Sequence, residues 1–125
     1  MSPGVPPRLV AVVAVGGAIG AAARYGLVQA WPVAPPGFPV TTLAVNVSGC
    51  LAIGLLLGVE RGPVTRAFVG TGVLGGFTTF STYAVESTSL WRADRPWAAA
   101  GYVAVTLACA LLATRLGMLL VRRRR

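Results

Sequence analysis

Long apolar runs alternate along this chain with short clusters of proline, glycine and arginine, and the run lengths set the architecture. The first extends from about Leu9 to Trp31, roughly 34 Å as a helix, enough to cross a hydrocarbon core of ~30 Å. Pro32, Pro35, Pro36, Gly37 and Pro39 then make a stiff connection that no helix continues through. A second run spans about Thr41 to Val59, and Glu60, Arg61, Gly62, Pro63 and Arg66 follow as a charged turn. The third runs from about Ala67 to Leu90 and the fourth from about Trp97 to Val121. Between them Trp91, Arg92, Asp94, Arg95, Pro96 and Trp97 read as an interfacial turn within an aromatic belt. The pattern predicts an all-α integral membrane protein, a single domain over residues 1–125 with four transmembrane helices.

Inside the third run lies the stretch that departs most from a simple span: Gly75, Gly76, Phe77, Thr78, Thr79, Phe80, Ser81, Thr82, Tyr83. Two glycines followed by two β-branched threonines make a poor continuous helix. The third helix is therefore expected to break near residues 75–79, at mid-membrane, freeing carbonyls from their usual donors. In hydrocarbon such groups must be buried in protein or satisfied by a polar cavity or an ion, so this segment is the leading candidate for an ion site.

Polar residues elsewhere in the runs are few and spaced. Gly16, Gly17, Gly20 and Ala21 to Ala23 form a small-residue face that admits a close neighbour, with Arg24 directly after it. Arg24 either snorkels to the headgroups or points into an aqueous vestibule. Thr42 and Asn46 are four apart and share a helical face, with Ser48 nearby; Asn46 either glues helices together or lines a polar pathway. Tyr102, Thr106 and Thr114 mark a stripe of the fourth run, with Ala110 at the intervening step. Those hydroxyls either line a route or bond back to their own helix. Glu86 either pairs with an arginine or couples to a proton.

Composition narrows the function. The chain is 55% hydrophobic and 11% charged, under half the charged share of a soluble domain, which is about 25%. Its 11 basic residues are all arginine, set against 3 acids with no histidine, for a net charge of +8. The arginines sit at the ends of apolar runs rather than along a polar face, which argues against nucleic acid. Cys50 and Cys109 lack metal-ligand spacing and read as small apolar fillers. Without histidine, metal cluster or carboxylate pair, no enzyme is expected. The first apolar run leads straight into further spans, so no cleaved signal is expected either.

These residues together resemble the Fluc fluoride channels, also called the CrcB family, over nearly the whole chain. The resemblance is carried by Gly16-Gly17, Gly20-Ala21 and Arg24-Tyr25; by Thr42-Leu43, Val45-Asn46, Gly49-Cys50 and Gly54; and by the run from Gly75 to Tyr83 with Glu86. It implies a passive fluoride channel of the cell membrane that exports cytoplasmic fluoride and relieves its toxicity. It also implies an antiparallel, dual-topology dimer with two fluoride pathways and a central sodium ion. By position, the sodium ligands are the main-chain carbonyls of Gly75 and Thr78, and the vestibule cation is Arg24. The fluoride pathway falls on Asn46, Phe80, Ser81, Thr82 and Tyr83, with Tyr102, Thr106 and Thr114 as the polar track of the fourth helix. Tyr83 stands where the family usually has phenylalanine, Ala84 where serine is common, Ala110 within the polar track, and Thr41 in place of a glycine.

The chemistry of the anion agrees with these residue types. Fluoride is small and strongly hydrated, so a route for it must replace water with converging donors: hydroxyls, an amide and the positive edges of aromatic rings. Arginines also bear on assembly. Arg8, Arg61, Arg66 and Arg122 to Arg125 place seven on the side of both termini, against Arg92 and Arg95 on the other. That imbalance predicts cytoplasmic termini and a largely fixed orientation, so the second subunit, either this chain itself or a homologous chain of opposite orientation, is expected to be the latter. The alternative function is a small proton-coupled multidrug exporter of the four-helix antiparallel type, which wants a mid-depth carboxylate that the first two spans lack.

Overall fold

The computed structural model describes residues 3–59 and 61–124 and is all-helical over them. Three helices are long and apolar enough to cross a membrane: α1 (Pro7–Ala30), α2 (Val40–Gly58) and α5 (Pro96–Arg122). The third apolar run folds in two pieces, α3 over residues 63–77 and α4 (Phe80–Arg92), separated by Thr78 and Thr79 in extended conformation. Most of α3, Arg66–Leu74, is wound as a π-helix.

The ends of these helices follow from their residues. α1, α3 and α5 each begin with proline in the first turn, where its missing N–H would have had no helical partner. α4 instead begins on an N-cap: the Thr79 hydroxyl accepts the Thr82 N–H at 3.2 Å. It ends where Asp94 takes a left-handed conformation at φ 55° and the Arg95 N–H returns to the Leu90 carbonyl at 3.0 Å. The connection from α1 to α2 is tied down as well, by the Thr41 hydroxyl donating to the Trp31 carbonyl and by Arg95 donating to the Pro36 carbonyl.

Two seams of small residues bring the helices together. α1 and α3 run parallel, with Gly16 against Phe68 and Gly72 and Gly20 against Val73 and Phe77. α2 and α5 also run parallel, with Gly54 against the Thr114 backbone and Gly117 against Leu51 and Leu55. At each of these positions an added Cβ would collide with a neighbouring backbone, so glycine is required by close approach. A core of Tyr83, Leu90, Ala99 and Tyr102, flanked by Phe38, Leu43, Ala98 and Val103, fixes α4 against α5 and the start of α2.

The break does not fall on the paired glycines. Gly75 and Gly76 are helical, and the chain leaves the helix at Thr78. Gly76 serves packing instead, since a Cβ there would strike the Gly17 carbonyl. The β-branched threonines, each with a hydroxyl that bonds local backbone, are the residues that end α3 and start α4.

Candidate ion pathway

The interruption frees the carbonyls expected to hold a cation. In a continued helix the Thr79 N–H would bond to the Gly75 carbonyl, but it bonds to Asn46 Oδ1 at 2.8 Å. Likewise the Thr82 N–H, the helical donor for the Thr78 carbonyl, goes to the Thr79 hydroxyl at 3.2 Å. Between these two, the Gly76 carbonyl accepts the Arg24 guanidinium through Nε at 3.2 Å. Arg24 is thereby anchored to the break through Nε.

Beside the break lies a groove of about 230 Å³ lined by Asn46, Cys50, Thr78, Thr79, Phe80, Tyr83, Thr106 and Ala110, among others. Three helices contribute its polar atoms. The Phe80 ring lies 5.6 Å from that of Tyr83, centroid to centroid, and Tyr83 lies 5.2 Å from Tyr102. Phe80 is 78% exposed while Tyr83 is buried, so the two rings sit at the outer and inner sides of the groove. The Thr106 hydroxyl is buried with no hydrogen-bond partner among the described residues. A buried hydroxyl without a partner costs about 1–3 kcal/mol, which makes Thr106 a donor awaiting an acceptor.

The other candidates are placed differently. Thr82 accepts the Thr79 hydroxyl at 3.1 Å, and Ser81, exposed, lies 3.4 Å from the same oxygen. Thr114 donates to the carbonyls of Ala110 and Cys50 at 3.0 and 3.2 Å, so its hydroxyl stitches α5 to α2 instead of lining the groove. Ala110 faces the groove where the stripe has its gap. Cys50 and Cys109 are free thiols, each half-buried.

Glu86 is the residue whose partners the sequence left least visible. Its carboxylate accepts the Thr42 hydroxyl at 2.8 Å on one oxygen and the Tyr102 hydroxyl at 2.9 Å on the other. The Phe38 ring, edge-on to Tyr102 at 5.5 Å, closes the cluster from the loop side. Hydroxyls, not an arginine, satisfy this carboxylate, and together they join α2, α4 and α5 one step above the break. The 3.6-residue period that puts Thr42 in line with Asn46 was a usable signal for this; the contribution of α5 had none.

These features define the class: an integral membrane protein whose interrupted helix leaves carbonyls without their helical donors beside a largely apolar groove edged by aromatic rings and threonines. Comparison with known sequences gives the family. Residues 11–118 match the family described as CrcB-like protein, Camphor Resistance (CrcB), and the chain belongs to it. It is 50% identical over 120 residues to fluoride-specific ion channel FluC 1 of Streptomyces coelicolor, covering 92% of this chain and 78% of that one. It is 50% identical over 119 residues to FluC 1 of Rhodococcus jostii, covering 93% of this chain and 87% of the relative. Against the fluoride-specific ion channel FluC of Sphingopyxis alaskensis, identity is 46% over 117 residues, 89% of this chain and 93% of that one. These relatives are named as channels, not enzymes.

Proposed function

We propose that this chain is a subunit of a passive fluoride channel that carries the ion out of the cytoplasm through the cell membrane. The observation that carries the reading is the unwound Thr78–Thr79 segment, which lies beside a groove lined by the Phe80 and Tyr83 rings and by Thr106, whose buried hydroxyl has no partner among the described residues. Weak, separate donors of this kind let a strongly hydrated anion enter and leave, where a cation at the constriction would trap it. The names of the relatives supply the anion. In this reading α3 and α4 together make the third of four crossings, interrupted at mid-membrane.

The carbonyls of Gly75 and Thr78, each deprived of its helical donor, suit a sodium ion shared with a second subunit. When bound, sodium would supply positive charge beside the anion routes. Arg24 holds the backbone between those carbonyls, at Gly76, and Asn46 holds it just beyond them, at Thr79. The second subunit is of opposite orientation, and a homologous chain is favoured by the lopsided arginines, with both termini cytoplasmic. Rhodococcus jostii has two such relatives, numbered 1 and 2, at 50% and 46% identity to this chain.

Hydrogen fluoride is a neutral weak acid that crosses lipid and ionises in a less acidic cytoplasm. A passive anion route then lets a negative-inside potential expel the ion with about 2.3 kcal/mol per 100 mV. A drug exporter would need a carboxylate open to its cation, whereas both Glu86 oxygens accept hydroxyl bonds. The test is fluoride efflux from liposomes carrying this chain, alone and with a homologous partner. Efflux of fluoride without a proton gradient is expected; transport that responds to cationic drugs and pH but not to fluoride would overturn the reading. A terminal reporter on the chain expressed alone checks orientation, and equal populations facing each way would refute a fixed topology.

A further inference from the structure

Both polar atoms of the Asn46 side chain are engaged by the backbone of a single residue. Nδ2 donates to the Thr79 carbonyl at 2.9 Å and Oδ1 accepts the Thr79 N–H at 2.8 Å, the two-point pairing that a neighbouring strand would offer. Asn46 is 8% exposed, so the pairing is shielded from competing water. One turn further along α2, Gly49 lies against the Thr78 side chain and the Phe77 ring, which brings the α2 backbone up to the break.

The consequence concerns one proton donor. The Thr79 N–H has two possible acceptors, the Gly75 carbonyl of its own helix and the Asn46 amide oxygen, and it can fully satisfy only one. If Asn46 did not take it, the shortest route to satisfaction in a low-dielectric interior would be to close the helix on Gly75. We propose that Asn46 is a positioning residue that takes the Thr79 N–H and so keeps the Gly75 carbonyl open to a cation. This rests on the sodium reading above. It adds to the role that resemblance implies for Asn46: Oδ1 and one of the two Nδ2 hydrogens are bonded to the Thr79 peptide, and the second Nδ2 hydrogen takes no part in that pairing.

Asn46→Leu removes both hydrogen bonds at similar volume. Two measurements separate the roles: the sodium dependence of thermal unfolding in detergent, with N-methylglucamine holding ionic strength, and the fluoride-to-chloride permeability ratio in liposomes. The substitution is expected to raise the sodium midpoint about tenfold, the equivalent of one lost buried hydrogen bond. A sodium midpoint equal to that of the wild type, with a reduced preference for fluoride, overturns the proposal in favour of a direct anion contact. Amide hydrogen exchange of the wild-type protein needs no variant: Thr79, although outside a helix, is expected to exchange as slowly as helical amides, and fast exchange there overturns the clamp. A wild-type protein with no sodium-dependent shift refutes the sodium reading and the proposal with it. That result is distinct from a wild-type shift that Asn46→Leu leaves intact, which refutes the proposal alone.

Discussion

Gly20→Ala is the smallest change that tests how α1 supports the break. A Cβ built at Gly20 lies 2.8 Å from the Phe77 nitrogen and from the Val73 carbonyl carbon, and closer still to the Val73 carbonyl oxygen, where ordinary contact is 3.4–4 Å. All three are backbone atoms of α3, so no side chain can rotate away, and the helices must part by about 1 Å. A gap of that size forfeits roughly a quarter to a half of the dispersion energy between facing atoms. It also stretches the Arg24 Nε bond to Gly76, now 3.2 Å, beyond hydrogen-bonding range. Overpacking of about 1–3 kcal/mol and a lost charged hydrogen bond of about 1.5–3 kcal/mol outweigh the 0.5–1 kcal/mol that alanine gains as a better helix former. The net expectation is a loss of about 2–5 kcal/mol. Unfolding in mixed detergent micelles measures it, with fluoride efflux as the functional readout. Gly26→Ala is the matched control, because nothing lies within 4 Å of its Cβ position. The reasoning fails if Gly20→Ala is as stable and as active as the parent, or if Gly26→Ala is equally damaging.

Two further outcomes follow from the hydroxyls. Tyr102→Phe keeps the fully buried ring but removes the donor to Glu86, so unfolding should show a loss of about 1–3 kcal/mol; combined with Thr42→Val, the losses should be non-additive because both act on one carboxylate. Thr106→Val replaces a buried hydroxyl that has no partner among the described residues, so stability should hold or rise by about 1 kcal/mol while fluoride efflux falls. Unchanged efflux in that variant would remove Thr106 from the route.

The sequence carried the membrane reading because run length and missing charge are local properties, and α1, α2 and α5 begin and end within two residues of where the pattern placed them. The interruption was legible as a region but misassigned in detail. Glycines and threonines were read together as breakers over 75–79, and the break falls on the threonines; Gly75 and Gly76 are helical and Gly76 is held by close contact with α1, which no single-segment argument sees. Thr79 could have been found as an N-cap three residues before Thr82. The clamp on it could not, since Asn46 and Thr79 are 33 residues apart and the spacing within α2 says nothing about which backbone the amide meets. Glu86 shows the same limit: an arginine was the expected partner on charge grounds, and the fold supplies hydroxyls from two other helices.

Phe80 presents a nearly naked ring on the outside of the subunit. In water so much bare aromatic surface would drive association by itself, but acyl chains solvate a benzene ring as readily as another protein does. In the proposed dimer, joining two such subunits in a bilayer would therefore draw on fit and on dipoles, which would make pairing sensitive to small changes in shape and tolerant of changes in greasiness.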